Sequence, residues 1–179
     1  MAPALIFAIR LVVPLAILRW PFGGMLLAIA ADAADVPIMD ALGWGFGTAA
    51  RYHAFDKIFD LYYLAIALIV AQDLWQEKSL RRVAGILFFW RLLGVLTFEL
   101  TGSRQMIFFA PNVFENFYLL VAGAKTVAPR LRLDSWKGIT ILLAVAAIPK
   151  IAQEYIMHFT EFPTWIFLKR HLFWWLDAL

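Results

Sequence analysis

The chain contains no cysteine, which excludes disulfide bonds and thiolate metal sites. Charged residues are also scarce: they make up 16% of the 179 residues, against about 25% in a typical soluble domain. No serine-nucleophile elbow, phosphate-binding glycine fingerprint or histidine-based zinc motif occurs. The formal net charge is only +3, so we expect no nucleic-acid partner.

What the sequence does contain is apolar and aromatic. Hydrophobic residues make up 63% of the chain, and the mean hydropathy is +0.76. The eight tryptophans suit the aromatic belts that anchor proteins at membrane interfaces. We therefore predict one integral membrane domain covering residues 1–179, with membrane lipid as a partner. No basic leader with a small-residue cleavage site is visible, so we expect no removable signal peptide.

Apolar runs predict an all-α bundle of about six transmembrane helices, because a spanning helix needs about 20 mostly apolar residues. The runs are Ala4–Trp20, Phe22–Pro37, Ile58–Trp75, Val83–Leu100, Gln105–Gly123 and Gly138–Met157. The glycine-rich stretch 38–55 is predicted to be a loop or a broken helix. Segment 162–179 contains Lys169, Arg170 and His171, so we expect an interfacial amphipathic helix, with a seventh span as the alternative.

Six spans would place both termini and the loop near the aspartates on one side of the membrane. The other side carries more cations, which favours putting it in the cytoplasm and the aspartates outside. Those cations are Arg19, Lys78, Arg81, Arg82, Lys125, Arg130, Arg132 and Lys137. The expected location is a bacterial inner membrane, with the side of the aspartates left open.

Four aspartates stand out in the region 27–60. Asp32 and Asp35 are three residues apart, and Asp56 and Asp60 are four apart, so each pair lies on one helix face. Four carboxylates brought together without a cation would repel, and some would have to protonate. A hard divalent cation resolves the repulsion, and oxygen ligands suit Mg²⁺, Ca²⁺ or Mn²⁺. The four aspartates are therefore candidate metal ligands. The alternative is that they flank helix ends in the headgroup zone.

This arrangement resembles the CDP-alcohol phosphotransferase family, whose signature reads D-x-x-D-G-x-x-A-R, a spacer, then G-x-x-x-D-x-x-x-D. Here "DAAD" at 32–35 matches the first pair and "DKIFD" at 56–60 the second. "IRLVVPLAIL" at 9–18 and "FFWRLLG" at 88–94 are similar to that family's first and fourth helices. The resemblance covers roughly the first 100 residues.

The resemblance implies transfer of a phospho-alcohol group from a CDP-linked lipid donor to an alcohol, with release of CMP, in lipid synthesis. It implies that Asp32, Asp35 and Asp56 hold Mg²⁺ or Mn²⁺ and that Asp60 is the general base. It also suggests a homodimer.

Some signature positions differ, and the differences favour an alternative. Val36 replaces the first glycine, Met39 and Asp40 replace the Ala-Arg pair, and Tyr52 replaces the second glycine. The alternative is a catalytically silent relative that serves as a structural or accessory subunit of a larger membrane complex. A third interpretation is a cation-coupled carrier with the acidic cluster as its ion site.

Four further polar residues are candidate substrate contacts. Arg51 could replace the missing signature arginine, and Arg104 could contact phosphate. Lys150 and Glu154 form a polar stripe that could accept a substrate headgroup. The competing interpretation is interhelical pairing that stabilises the bundle. The same two interpretations apply to Arg91, Asn112 and Glu115.

Overall fold

The computed structural model describes residues 2–43, 49–103, 105–156 and 164–171. Within these ranges the chain forms helices and no strand, which confirms the all-α prediction. The elements are α1 (Ala2–Val12), a 3₁₀ helix (Val13–Leu18), α2 (Pro21–Ala33), α3 (Asp35–Leu42), α4 (Ala49–Leu74), α5 (Lys78–Thr101), α6 (Gln105–Phe109), α7 (Val113–Val127), α8 (Trp136–Glu154) and α9 (Thr164–His171).

Proline divides the first two predicted spans. Helix α1 gives way to the 3₁₀ helix around Pro14, which has no N–H to continue the α-helical pattern. The second predicted span is two helices, α2 and α3, which meet at Ala34. The ring of Pro37 would clash with the carbonyl of Ala33, four residues earlier, so α2 ends there. This break places Asp35 in the first turn of α3.

The fifth predicted span is also interrupted, by Pro111 between α6 and α7. Arg91 of α5 reaches the carbonyl oxygens exposed at this break. Its Nη1 donates to the oxygen of Ala110 at 3.0 Å and to that of Ile107 at 3.5 Å. The buried guanidinium of Arg91 thus links the connection between α6 and α7 to α5.

Helix α4 begins nine residues before the predicted span. The stretch expected to be a loop or broken helix is helical to Leu42 and again from Ala49, while positions 44–48 lie outside the described residues. The first turns of α4 contain neither proline nor glycine, so nothing in them opposes a helix. The early start places Asp56 and Asp60 inside a helix.

The helices pack closely at two glycines. Helix α2 lies along the 3₁₀ helix and also contacts α4 and α7, while α7 packs on α8. A Cβ at Gly24 would lie 2.4 Å from the backbone of Ala16, so only glycine permits that approach. A Cβ at Gly94 would lie 2.3 Å from the Cβ of Ala110, where α5 meets the end of α6.

Several ionisable side chains are buried and many large apolar side chains are exposed, which is unusual in a water-soluble protein. Buried ionisable side chains are Arg10, Asp35, Lys57, Asp60, Arg91, Glu115, Lys150 and Glu154. Large apolar side chains are exposed along the outside of α1, α5 and α8, including Leu5, Phe7, Ile86, Phe89, Leu93, Leu96, Ile141, Val145 and Ile148. These exposed apolar side chains surround an interior that combines a hydrophobic core with the buried ionisable groups.

Two described helices, α5 and α8, are long and apolar enough to cross a membrane, by length and composition alone. The apolar segment Ala2–Leu18 is shorter. Helix α4 is the longest, but Asp56, Lys57 and Asp60 take up part of it. The count of six spans stays a prediction. In the C-terminal segment, α9 forms within the predicted interfacial helix, and positions 172–179 lie outside the described residues.

Candidate functional site

The four aspartates converge from three helices. Asp32 lies in the last turn of α2, Asp35 in the first turn of α3, and Asp56 and Asp60 on successive turns of α4. Asp35 and Asp60 are buried, and the side chains of Asp32 and Asp56 are 34% and 15% exposed. The two pairs therefore share one end of the bundle, with an opening beside Asp32 and Asp56.

Arg10 of α1 lies between them. Its guanidinium is 1% exposed and binds Asp32 in a close ion pair. Nη1 lies 3.5 Å from an oxygen of Asp35, and Nη2 lies 3.6 Å from Asp56 and 3.0 Å from Asp60. One guanidinium thus contacts all four carboxylates.

Lys57 supplies a second cation. Its Nζ lies 2.8 Å from Asp56 and 3.2 Å from Asp60, and its side chain is buried. Arg10 and Lys57 together balance only half of the charge on the four aspartates. Arg91, a third cation, lies 4.0 Å from Asp60 and is shared with Glu154, so the carboxylates at the cluster still outnumber the cations.

The residues present fit a hard divalent cation. Asp32, Asp35 and Asp56 each offer one oxygen, and these atoms lie within 4.8 Å of one another. Oxygens bound to one Mg²⁺ are about 3–4 Å apart, given a metal–oxygen distance of about 2.1 Å. Both carboxylate oxygens of Asp35 are buried and accept no hydrogen bond among the described residues. That carboxylate has unused ligand capacity facing the other two.

Asp60 differs from the other three aspartates. Its oxygens are not among those of Asp32, Asp35 and Asp56 that lie within 4.8 Å of one another, although the sequence predicts Asp60 to be both a metal ligand and the general base. Its carboxylate instead lies 3.0 Å from Arg10, 3.2 Å from Lys57 and 4.0 Å from Arg91. The geometry therefore separates three potential ligands from a fourth carboxylate beside them.

A second polar cluster continues from Asp60 into the bundle. Arg91 lies 3.5 Å from Glu154, and the backbone N–H of Asn112 donates to that same carboxylate at 3.2 Å. Glu115 accepts a hydrogen bond of 2.8 Å from Lys150 and one of 3.0 Å from the Asn112 side chain. It also accepts a short hydrogen bond from the hydroxyl of Tyr63. This cluster ties α4, α5, α7 and α8 together.

The predicted substrate contacts have different outcomes. Lys150 and Glu154 are buried and engaged in the second polar cluster, at 7% and 4% exposure, so in this structure they pair with protein groups. The side chain of Arg51 and all of Arg104 lie outside the described residues. Their roles stay predictions.

Sequence reasoning did not identify Arg10 or Lys57 as members of the site. The signal for Arg10 is its position in the middle of the first apolar run, away from Arg19 at the end of that run, because an intramembrane cation needs a counter-ion. Lys57 lies directly after Asp56, but the sequence alone does not show that its side chain turns toward Asp56 and Asp60. Arg91 and Glu115 were noted as polar, but their connection to Asp60 requires the fold.

Comparison with known proteins adds no family. No family model matches the chain, and no curated protein or solved structure matches it either. The function is therefore argued from the aspartate site itself.

Proposed function

We propose that this chain is a divalent-metal-dependent membrane phosphotransferase, which moves a phospho-alcohol group from a CDP-linked donor to an alcohol in lipid synthesis. The observation that supports it best is the convergence of Asp32, Asp35 and Asp56, whose oxygens lie within 4.8 Å of one another. The excess of carboxylates over cations at the cluster also supports a bound cation.

The membrane part of the proposal is supported by the exposed apolar side chains and the buried ionisable groups. Helices α5 and α8 pass the length and composition test for crossing a membrane. Their outward faces carry large exposed apolar side chains, while eight ionisable side chains are buried. Buried polar groups inside an apolar exterior are what a lipid environment requires. We propose a bacterial inner membrane as the location and a bundle of about six spans.

The four aspartates have two different roles in the proposed reaction, metal binding and proton transfer. Mg²⁺ or Mn²⁺ held by Asp32, Asp35 and Asp56 would neutralise charge on the donor's diphosphate. Asp60, beside these ligands, takes the proton of the acceptor hydroxyl. Arg10 holds Asp60 in place through its 3.0 Å contact. Donor and acceptor enter at the side where Asp32 and Asp56 are partly exposed.

A second candidate function is a silent accessory subunit of a larger membrane complex. The observation that favours it is Arg10, whose guanidinium already lies among all four carboxylates. Together with Lys57 it provides internal cations that hold the cluster without any ligand. The partners would then be other membrane subunits or a second copy of this chain.

Metal binding is tested by thermal unfolding of the detergent-purified protein, followed by tryptophan fluorescence. We expect millimolar Mg²⁺ or Mn²⁺ to raise the melting temperature, because a ligand that binds only the folded state stabilises it. Asp56→Asn should abolish the rise. Asp73→Asn is the matched control, since Asp73 is exposed at the other end of the same helix. A melting curve that does not change with metal would refute the metal site.

Catalysis is tested by CMP release from a CDP-linked lipid in the presence of metal. We expect release by the native chain and by Asp73→Asn, and none by Asp60→Asn. If metal binds but no donor yields CMP, the phosphotransferase proposal fails and the accessory role gains support. Stable co-purification with other membrane subunits would then be the expected finding.

A further inference from the structure

A groove lies between α4 and α5, at the end of the bundle opposite the aspartates. Its volume is ≈ 420 Å³. Three cations line it, Lys78, Arg81 and Arg82, and the other lining residues are Leu68, Gln72, Gly85 and Phe89. We call it the basic groove. Cations occupy the end near the start of α5, and apolar side chains continue along the helix.

Two exposed tryptophans indicate the depth of this end. Trp20 stands next to Pro21, which lines another cavity together with residues of the α4–α5 turn. Trp136 begins α8, just after a segment whose Leu133 N–H donates to Glu77 in that turn. Tryptophans concentrate at the headgroup level of membranes. The cationic end of the basic groove therefore lies at headgroup level, if the chain spans a membrane as proposed.

The charge of the groove is one-sided. No acidic residue is among its lining residues. The side chains of Lys78 and Arg82 are exposed, and they make no hydrogen bond or ion pair within the part of the chain that the structure describes. Arg81 and Gln72 are held by reciprocal bonds of 2.9 and 3.2 Å to each other's backbone carbonyls, which fixes the α4–α5 wall. The groove thus presents two available cations on a fixed frame.

The apolar part of the groove is open because of a glycine. A Cβ added at Gly85 would meet nothing within 4 Å. Phe89, one helical turn further, is 58% exposed, and Leu68 forms the α4 side of the same groove. A chain of methylene groups could therefore lie over Gly85, below a headgroup held by the cations.

We propose that the basic groove binds an anionic phospholipid. Lys78 and Arg82 contact its phosphate, and an acyl chain lies over Gly85 between Leu68 and Phe89. Cations near a membrane surface attract anionic lipids, and buried acyl carbons add an apolar contribution. The inference rests on the membrane location proposed above and does not depend on the metal site.

The test uses the full chain in an uncharged detergent. Native mass spectrometry measures binding of phosphatidylglycerol against phosphatidylcholine with the same acyl chains, and inorganic phosphate is the third probe. We expect phosphatidylglycerol to bind, and the double variant Lys78→Gln/Arg82→Gln to weaken it on the order of 25-fold, about fivefold per cation. Gly85→Leu fills the groove without changing any charge and should weaken it as well.

The matched control is Arg132→Gln/Lys137→Gln, which removes two exposed cations from the same end outside the basic groove. It should bind phosphatidylglycerol as the native chain does. Asp56→Asn should also leave lipid binding intact, which separates this site from the metal site. Equal binding of both lipids, equal effects of the control and groove variants, full binding by Gly85→Leu, or binding of phosphate alone with the same affinity would each overturn the proposal.

Discussion

Replacing Arg10 with glutamine removes the one group that contacts all four aspartates. Of the nearby cations, their carboxylates would keep Lys57, and Arg91 at 4.0 Å from Asp60. Removing one partner of a buried ion pair costs about 3–5 kcal/mol. Because Asp32 is 34% exposed and screened by water, we take the lower limit, about 3 kcal/mol.

For a chain of 179 residues this loss corresponds to a melting temperature lower by about 6–12 °C, at about 2–4 °C per kcal/mol. The assay is tryptophan fluorescence during heating in a metal-free, uncharged detergent buffer. Arg19→Gln is the matched control, because Arg19 is exposed at the end of the 3₁₀ helix that follows α1. This variant should melt at the same temperature as the native chain.

Metal makes the Arg10→Gln experiment more informative. The variant gains one negative charge at the cluster, so we expect Mg²⁺ to raise its melting temperature more than that of the native chain. A metal-free melting temperature within about 1 °C of the native value, far less than the drop expected for a broken buried ion pair, would refute the central role given to Arg10.

Two further predictions concern packing and pH. Gly94→Ala should lower stability by about 1–3 kcal/mol, because its Cβ would overlap that of Ala110, while Gly85→Ala on the same helix should not. Thermal melting of the two variants checks this, and equal melting would contradict the close approach. Burial raises the pKa of Glu77, but the hydrogen bonds that its carboxylate accepts from Lys125 and from the backbone N–H of Leu133 lower it by more. The pKa of Glu77 therefore lies below its usual value. The stabilisation of the folded state by ionised Glu77 is therefore present above about pH 4.3 and is lost as the pH falls below that value. Glu77→Gln should make the melting temperature less dependent on pH in this acid range. An unchanged acid profile would show that the Glu77 pair contributes nothing.

The convergence of the aspartates could be predicted in part, because helical spacing places Asp56 and Asp60 on one face of α4, whereas Asp32 and Asp35 lie in two helices that meet at Ala34. The neighbouring spans then needed only to be antiparallel. Arg10 could not be placed in the same way, because which side chain enters the cluster depends on how α1 packs. The sequence signal was an unexplained cation in an apolar run.

The breaks in the spans followed a different physical rule. Hydropathy predicts where an apolar stretch lies, but it does not show that one proline within that stretch interrupts the helix. Pro37 and Pro111 are each one residue in an apolar stretch, and each divides a predicted span by removing one hydrogen bond and crowding one carbonyl. Their positions were readable in the sequence. How the freed carbonyls at Pro111 are satisfied, by Arg91, was not.

The position of Arg10 has a consequence for biosynthesis. It leaves the ribosome 50 residues before Asp60, and the other three aspartates also follow it. In a membrane, α1 would carry an uncompensated guanidinium until α2 had supplied Asp32, and the set of four carboxylates would be complete only with the first turns of α4. These helices should therefore enter the bilayer as one cooperative unit, and a nascent chain that stops before residue 56 should remain exposed to quality-control proteases.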